Sequence, residues 1–141
     1  MKRKYGLLGL LLVSGADAAA RNKVRPKNVL FIAVDDMKPA LGCYGDRVAR
    51  TPHIDALAAD GAVFRRAYCQ QAVSGPTRAS LLTGLRPEEV GVTELNTWMR
   101  AKVPDVVTLP QAFREAGYET RGVGKIFHGT KNSLDERSWS E

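Results

Sequence analysis

Asn28-Val29-Leu30-Phe31-Ile32-Ala33-Val34-Asp35-Asp36 is the stretch that decides the fold. Val29 to Val34 is an uninterrupted run of six apolar residues, short enough for a strand and with no polar position to give it a wet face. That pattern suits a strand buried on both sides, as in a parallel sheet covered by helices. Asp35-Asp36 then falls at the carboxyl end of the strand, where open α/β sheets bind their ligands.

Working outward, Met37 to Arg50 is loop-like, punctuated by Pro39, Gly42, Gly45 and Asp46. Thr51-Pro52 opens a helix whose Ile54, Leu57 and Ala58 form an apolar stripe and whose stop is Gly61. Ala62 to Tyr68 reads as a strand or extended segment. Pro76 to Gly84 is expected to be a helix with Leu81 and Leu82 toward the core, preceded by a loop from Gln70 to Gly75. Trp98 is expected to be a packing anchor in the mixed stretch Glu88 to Asp105. Thr108 caps a further helix with Leu109, Ala112, Phe113 and Ala116 on one face and Gly117 at its end. Tyr118 to Val123 returns as a strand, and from Thr130 the chain is polar. Strands alternating with helices predict an α/β layered sheet.

The chain has 141 residues and a formal charge of +6, which by length allows one domain with a core burying roughly two-thirds of the unfolded surface. The basicity does not point to nucleic acid, because it is concentrated at one end. Residues 1–27 hold seven Lys/Arg and one acid, whereas residues 28–141 hold fourteen of each. Residues 1–20 read as a signal peptide for export to the periplasm or outside the cell: Lys2-Arg3-Lys4, an apolar run from Gly6 to Val13, then Ala16-Asp17-Ala18 and Ala18-Ala19-Ala20 as cleavage sites. A short membrane anchor is the competing reading, but the run is too short for a stable bilayer span. Residues 21–27 form a basic linker, and residues 28–141 the folded part. Cys43 and Cys69 permit at most one disulfide or two buried free thiols, and neither stands at zinc-site spacing from a His or Cys.

The chemistry concentrates in Ser74-Gly75-Pro76-Thr77-Arg78. A serine hydroxyl needs a base, a metal or a covalent change to become a nucleophile. Pro76 belongs in a helix's first turn, so Ser74 is expected just before a helix N-terminus, where free N–H groups favour anions. Arg78 adds a planar cationic fork suited to tetrahedral oxyanions. The aspartate pair can hold a hard divalent cation. A sulfate or phosphate ester is the implied substrate. His53 reads as part of the polar face of its helix, and Gly122 and Gly124 lack the spacing of a nucleotide-binding fingerprint.

These motifs carry a resemblance. Taken with Leu41-Gly42-Cys43-Tyr44-Gly45-Asp46, Thr51-Pro52-His53-Ile54-Asp55, Leu81-Leu82-Thr83-Gly84 and Gly124-Lys125-Ile126-Phe127-His128, the chain resembles the N-terminal part of the type I, formylglycine-dependent sulfatases, within the alkaline-phosphatase-like superfamily and nearest the iduronate-2-sulfatase branch. The resemblance implies an α/β/α sandwich with a mostly parallel sheet. It implies oxidation of Ser74 to formylglycine by a radical, iron–sulfur maturation enzyme. The hydrated aldehyde carries two geminal hydroxyls: one attacks sulfur and expels the alcohol, and the other collapses to eject sulfate. It implies Ca2+ on Asp35, Asp36 and residue 74, with Arg78 holding the hydrate, Lys125 contacting the sulfate oxygens and His128 orienting the hydroxyl or moving its proton. The implied substrate is a sulfated sugar of glycosaminoglycan type. Sulfatases of this class are far longer, so these residues are expected to be a truncated portion lacking further calcium ligands, a second lysine and another histidine. The competing functions are a phosphoester hydrolase using unmodified Ser74 and a non-catalytic fragment.

Overall fold

The computed structural model describes residues 27–140. The expected signal peptide and all of the linker but Lys27 lie outside the described residues. The chain divides into two units, Met1–Phe31 and Ile32–Glu141. In the first, residues 27–31 have no regular secondary structure, with Val29 62% and Leu30 84% exposed.

The second unit is built from six helices among the described residues: α1 Pro52–Asp60, α2 Ser74–Thr83, α3 Pro87–Val90, α4 Met99–Lys102, α5 Leu109–Glu115 and α6 Thr130–Ser133. A 3-10 turn at Gly42–Tyr44 precedes them. No strand occurs among the described residues, so the expected sheet is not seen among them. Val29–Val34, Ala62–Tyr68 and Tyr118–Val123 carry neither helix nor strand, and Ile32, Phe64 and Val123 are exposed rather than buried. The physical reason is partnership: an extended segment becomes a strand only when a neighbour satisfies its backbone groups. Thr120 does find a long-range neighbour, its carbonyl accepting from the Ser140 N–H at 2.9 Å and its N–H donating to Ser140 Oγ at 3.0 Å.

The core gathers around α2. Ala79 and Leu82 from its inner face pack with Val90, Val92, Met99 and Phe127, flanked by Leu85, Val103, Val106, Ile126 and Trp139. Each large side chain buried here contributes about 1.5–3 kcal/mol. Leu81, expected beside Leu82 in the core, is 56% exposed, because successive helical residues point about 100° apart. Gly84 ends α2 in the left-handed conformation (φ 72°), its N–H donating to the Ser80 carbonyl at 2.8 Å.

Two expectations for helix faces are also corrected. α1 and α5 bury none of their residues, and Leu57 is 72% exposed. α1 is instead fixed by polar contacts at its start. The Cys43 N–H donates to Asp55 Oδ1 at 2.7 Å, the Gly42 N–H donates to Thr51 Oγ1 at 2.9 Å, and the Thr51 hydroxyl donates to the Asp55 carboxylate. Thr108 caps α5 as expected, accepting from the Gln111 N–H. Trp98 is not a buried anchor; it is half exposed, with Lys131 Nζ 5.6 Å from its ring centroid.

Candidate active site

The first turn of α2 places Ser74 and Arg78 four residues apart on one face. Ser74 is the first helical residue, so the helix begins two residues earlier than expected. Gly75 explains the tight seating: a Cβ at this position would lie 2.7 Å from the Glu94 carbonyl oxygen and 3.0 Å from Leu95 Cα. Only glycine lets the start of α2 rest on that backbone.

Arg78, only 9% exposed in its side chain, organises the surroundings. Its Nε donates to Ser74 Oγ at 3.2 Å, and its Nη2 donates to Asp35 Oδ1 at 2.6 Å. Nη1 donates to the carbonyls of Lys125 and Ile126 at 2.5 and 3.0 Å. The fork therefore uses all three of its nitrogens, a geometry a lysine cannot reproduce.

The segment after Gly124 supplies the opposite wall. Phe127 is buried and meets Trp139 edge-on at 6.0 Å between centroids. With that side chain turned into the core, Lys125 and His128 reach the site: Lys125 Nζ donates to Asp35 Oδ2 at 2.7 Å, and His128 Nδ1 lies 3.2 Å from Ser74 Oγ. The Lys125 ammonium and the Arg78 guanidinium hold the Asp35 carboxyl below its ordinary value of 3.8. Ser74, Arg78, Lys125, His128 and Asp35 thus converge, although ninety residues separate Asp35 from Lys125.

Asp36 takes part in none of these contacts and adopts a left-handed backbone (φ 49°), which aspartate tolerates better than most residues. Calcium calls for six to eight oxygen ligands. The two aspartates are the right chemistry, but both Asp35 oxygens are engaged by cations. No group of three His, Cys, Asp or Glu among the described residues stands close enough to hold a metal ion. Asp35 and Asp36 could therefore supply only part of such a ligand set. Cys43 and Cys69 are both free, the first half-buried and the second exposed, so neither the disulfide nor the pair of buried thiols is found.

The structure also brings forward residues the sequence reading passed over. Arg100 grips Asp135 with two bonds of 2.9 Å, Asp135 accepts from the Ser138 hydroxyl at 2.5 Å, and Ser138 lies 2.6 Å from Thr108 Oγ1. Burial pushes the Asp135 carboxyl up, but the bonds from Arg100 and Ser138 outweigh it and the net shift is downward. Asn132 is buried in the same stretch. In the sequence Asn132, Asp135 and Ser138 belong to a polar tail that carries no apolar period to reveal their burial.

Comparison with known proteins agrees with the motifs. The sulfatase family model matches residues 27–137. The chain is 43% identical over 142 residues to iduronate 2-sulfatase of Homo sapiens, covering 94% of this chain and 26% of that protein. It is 42% identical over 139 residues to iduronate 2-sulfatase of Mus musculus, covering 95% and 25%. A sulfatase of Formosa agariphila is 34% identical over 139 residues, covering 91% and 27%. The chain therefore spans about a quarter of the length of these curated relatives. A match over most of the chain, with the motif residues gathered around one serine, leads to one conclusion: the chain belongs to the sulfatase family, near its iduronate 2-sulfatase branch.

Proposed function

We propose that the chain carries the nucleophile side of a sulfuric ester hydrolase, with Ser74 as the precursor of formylglycine and a sulfated sugar of the iduronate-2-sulfatase type as substrate. The observation that carries this reading is the placing of Arg78, Lys125 and His128 around Ser74 and Asp35. When present, formylglycine supplies, as its hydrate, a hydroxyl to attack sulfur and a second hydroxyl whose collapse releases sulfate.

The chain's own groups serve that chemistry in definite ways. Arg78 Nε, 3.2 Å from the residue-74 oxygen, holds that oxygen in place and counters negative charge on it. His128 Nδ1, within hydrogen-bond reach of the same oxygen, is positioned to take or return its proton. Lys125 pairs with Asp35 and, being half exposed, can turn its ammonium to a sulfate oxygen. Asp35 and Asp36 are this chain's share of the calcium site in the proposal, resting on the resemblance and on the carboxylate chemistry; no step is derived through the ion. The expected sheet, the signal peptide, export and the radical maturation enzyme belong to the same proposal. Among the described residues no helix is long and apolar enough to cross a membrane.

Mass spectrometry of the tryptic peptide Ala67–Arg78, from protein produced with its own maturation enzyme, tests the reading. The expected product is a peptide two hydrogens lighter at Ser74; unmodified serine in every preparation would sink formylglycine chemistry here. The Ser74–His128 distance also gives a specific ground for a second reading, direct phosphoester hydrolysis by the serine hydroxyl with His128 as base. Cleavage of an aryl phosphate but not an aryl sulfate by unmodified protein distinguishes it.

A further inference from the structure

The segment bearing Lys125 and His128 is held at both ends by buried side chains. At its start, Arg78 takes the carbonyls of Lys125 and Ile126. In its middle, Phe127 is 2% exposed within the core. At its end stands Asn132, itself buried at 9% exposure. Asn132 Nδ2 donates to the His128 carbonyl at 2.9 Å and to the Thr97 carbonyl at 3.1 Å. Asn132 Oδ1 accepts from the Met99 N–H at 2.9 Å, one of the donors that the first turn of α4 leaves without a helical partner.

A buried amide satisfied on both its oxygen and its nitrogen has one orientation, because flipping it would set donor against donor and acceptor against acceptor. It ties three backbone points, at residues 97, 99 and 128, into a fixed triangle. Among the described residues, by contrast, the His128 imidazole has one hydrogen-bond contact, Ser74 Oγ at 3.2 Å, and it is only half-buried. The ring's placement therefore depends on how firmly its own backbone is held. Lys131 over the Trp98 ring adds a second tie between the same two segments.

We infer that Asn132 is a positioning residue for His128, fixing the histidine backbone so that the ring meets the residue-74 oxygen. This rests on the reading of His128 as the proton-handling group at Ser74. Asn132 thus couples the start of α4 to the segment bearing His128 through one side chain.

Asn132→Asp is the informative variant. It keeps an acceptor for the Met99 N–H but replaces the two donors with a carboxylate oxygen facing two carbonyls. The chain has two histidines, and His53, exposed on α1, serves as the internal reference. In the full chain with unmodified Ser74, the ring signals of both histidines are followed by NMR, and their acylation by diethyl pyrocarbonate is timed. The expected result is a shifted or broadened His128 ring signal and roughly tenfold faster His128 acylation, the factor matching the loss of about one hydrogen bond's net contribution, with His53 unchanged and the thermal transition still cooperative. A cooperatively folded variant in which His128 behaves as in the parent protein overturns the proposal, as does an equal change at both histidines, which marks general loosening. If Asn132→Asp does not fold, Asn132→Ser, which buries no charge, carries the same measurement. Failure of both to fold also overturns it, since Asn132 is then required for folding as a whole. A plain serine in the maturation experiment leaves these readouts intact, so the two ideas fail separately.

Discussion

At Asp35 one carboxylate answers to two cations, and the sign of its pH response follows. Its folded pKa is depressed, first by Lys125 and then by Arg78, so its contribution to stability is fully present above the ordinary value of 3.8 and is lost as pH falls through the lower folded value. Carbon NMR of the Asp35 carboxyl should show a midpoint below 3.8, and Lys125→Ala should move it back upward; an unchanged midpoint would remove Lys125 from the pairing. The same competition bears on the metal. Calcium titration of the Lys125→Ala variant should show tighter binding than the parent chain, because one Asp35 oxygen is freed, and calorimetry can compare the two. Arg78 is the other decisive residue. Arg78→Lys should destabilise the fold by about 2–4 kcal/mol in denaturant unfolding, since several charge-assisted bonds are lost and the part-buried Lys125 and Ile126 carbonyls are left without donors.

On the scale of the element, α2 sets the site and its two faces should respond differently. Leu82→Ala, from a side chain 2% exposed, should cost about 2–5 kcal/mol, whereas Leu81→Ala should stay within about 0.5 kcal/mol; equal losses would contradict the packing. Gly75→Ala should push the start of α2 off the Glu94–Leu95 backbone, lowering stability by about 1–3 kcal/mol and lengthening the Ser74–His128 contact, which the His128 ring signal reports. Much of this element was legible beforehand. Pro76 in a first turn and Gly84 at a stop are local signals, written in the residues that need them. The site residues were equally legible as motifs, and Ser74, Arg78, Lys125, His128 and Asp35 do meet. What local reading could not supply was tertiary partnership. Val29–Val34 has the composition of a buried strand, but composition cannot provide the neighbouring backbone that makes one. Leu57 has helical spacing on α1, but nothing among the described residues covers it. Asn132, Asp135 and Ser138 are buried through hydrogen bonds made at long range, and polar residues give no periodic sign of that.

For the whole molecule, the clearest expectation concerns apolar surface. Leu30, Ile32, Val48, Phe64, Tyr68 and Val123 are each at least 70% exposed, more bulky apolar side chain than soluble proteins usually leave open. The chain should therefore bind an anilinonaphthalene dye at neutral pH without denaturant, and replacing Leu30 and Ile32 by Lys should reduce the fluorescence. Dye binding at the level of an ordinary folded control would show that these segments are covered in solution. Charge gives no comparable surface, because residues 28–141 balance their acids and bases.

The start of α2 also sets an order of events in time. Gly75, Pro76 and Arg78 are buried, and Gly75 rests on the Glu94–Leu95 backbone. A maturation enzyme that reads Ser74 through Arg78 as a peptide strand would find that strand coiled and enclosed once the chain has folded. The proposed oxidation must then come first, while the polypeptide is newly made, and a chain that folds before it meets its modifier keeps a plain serine.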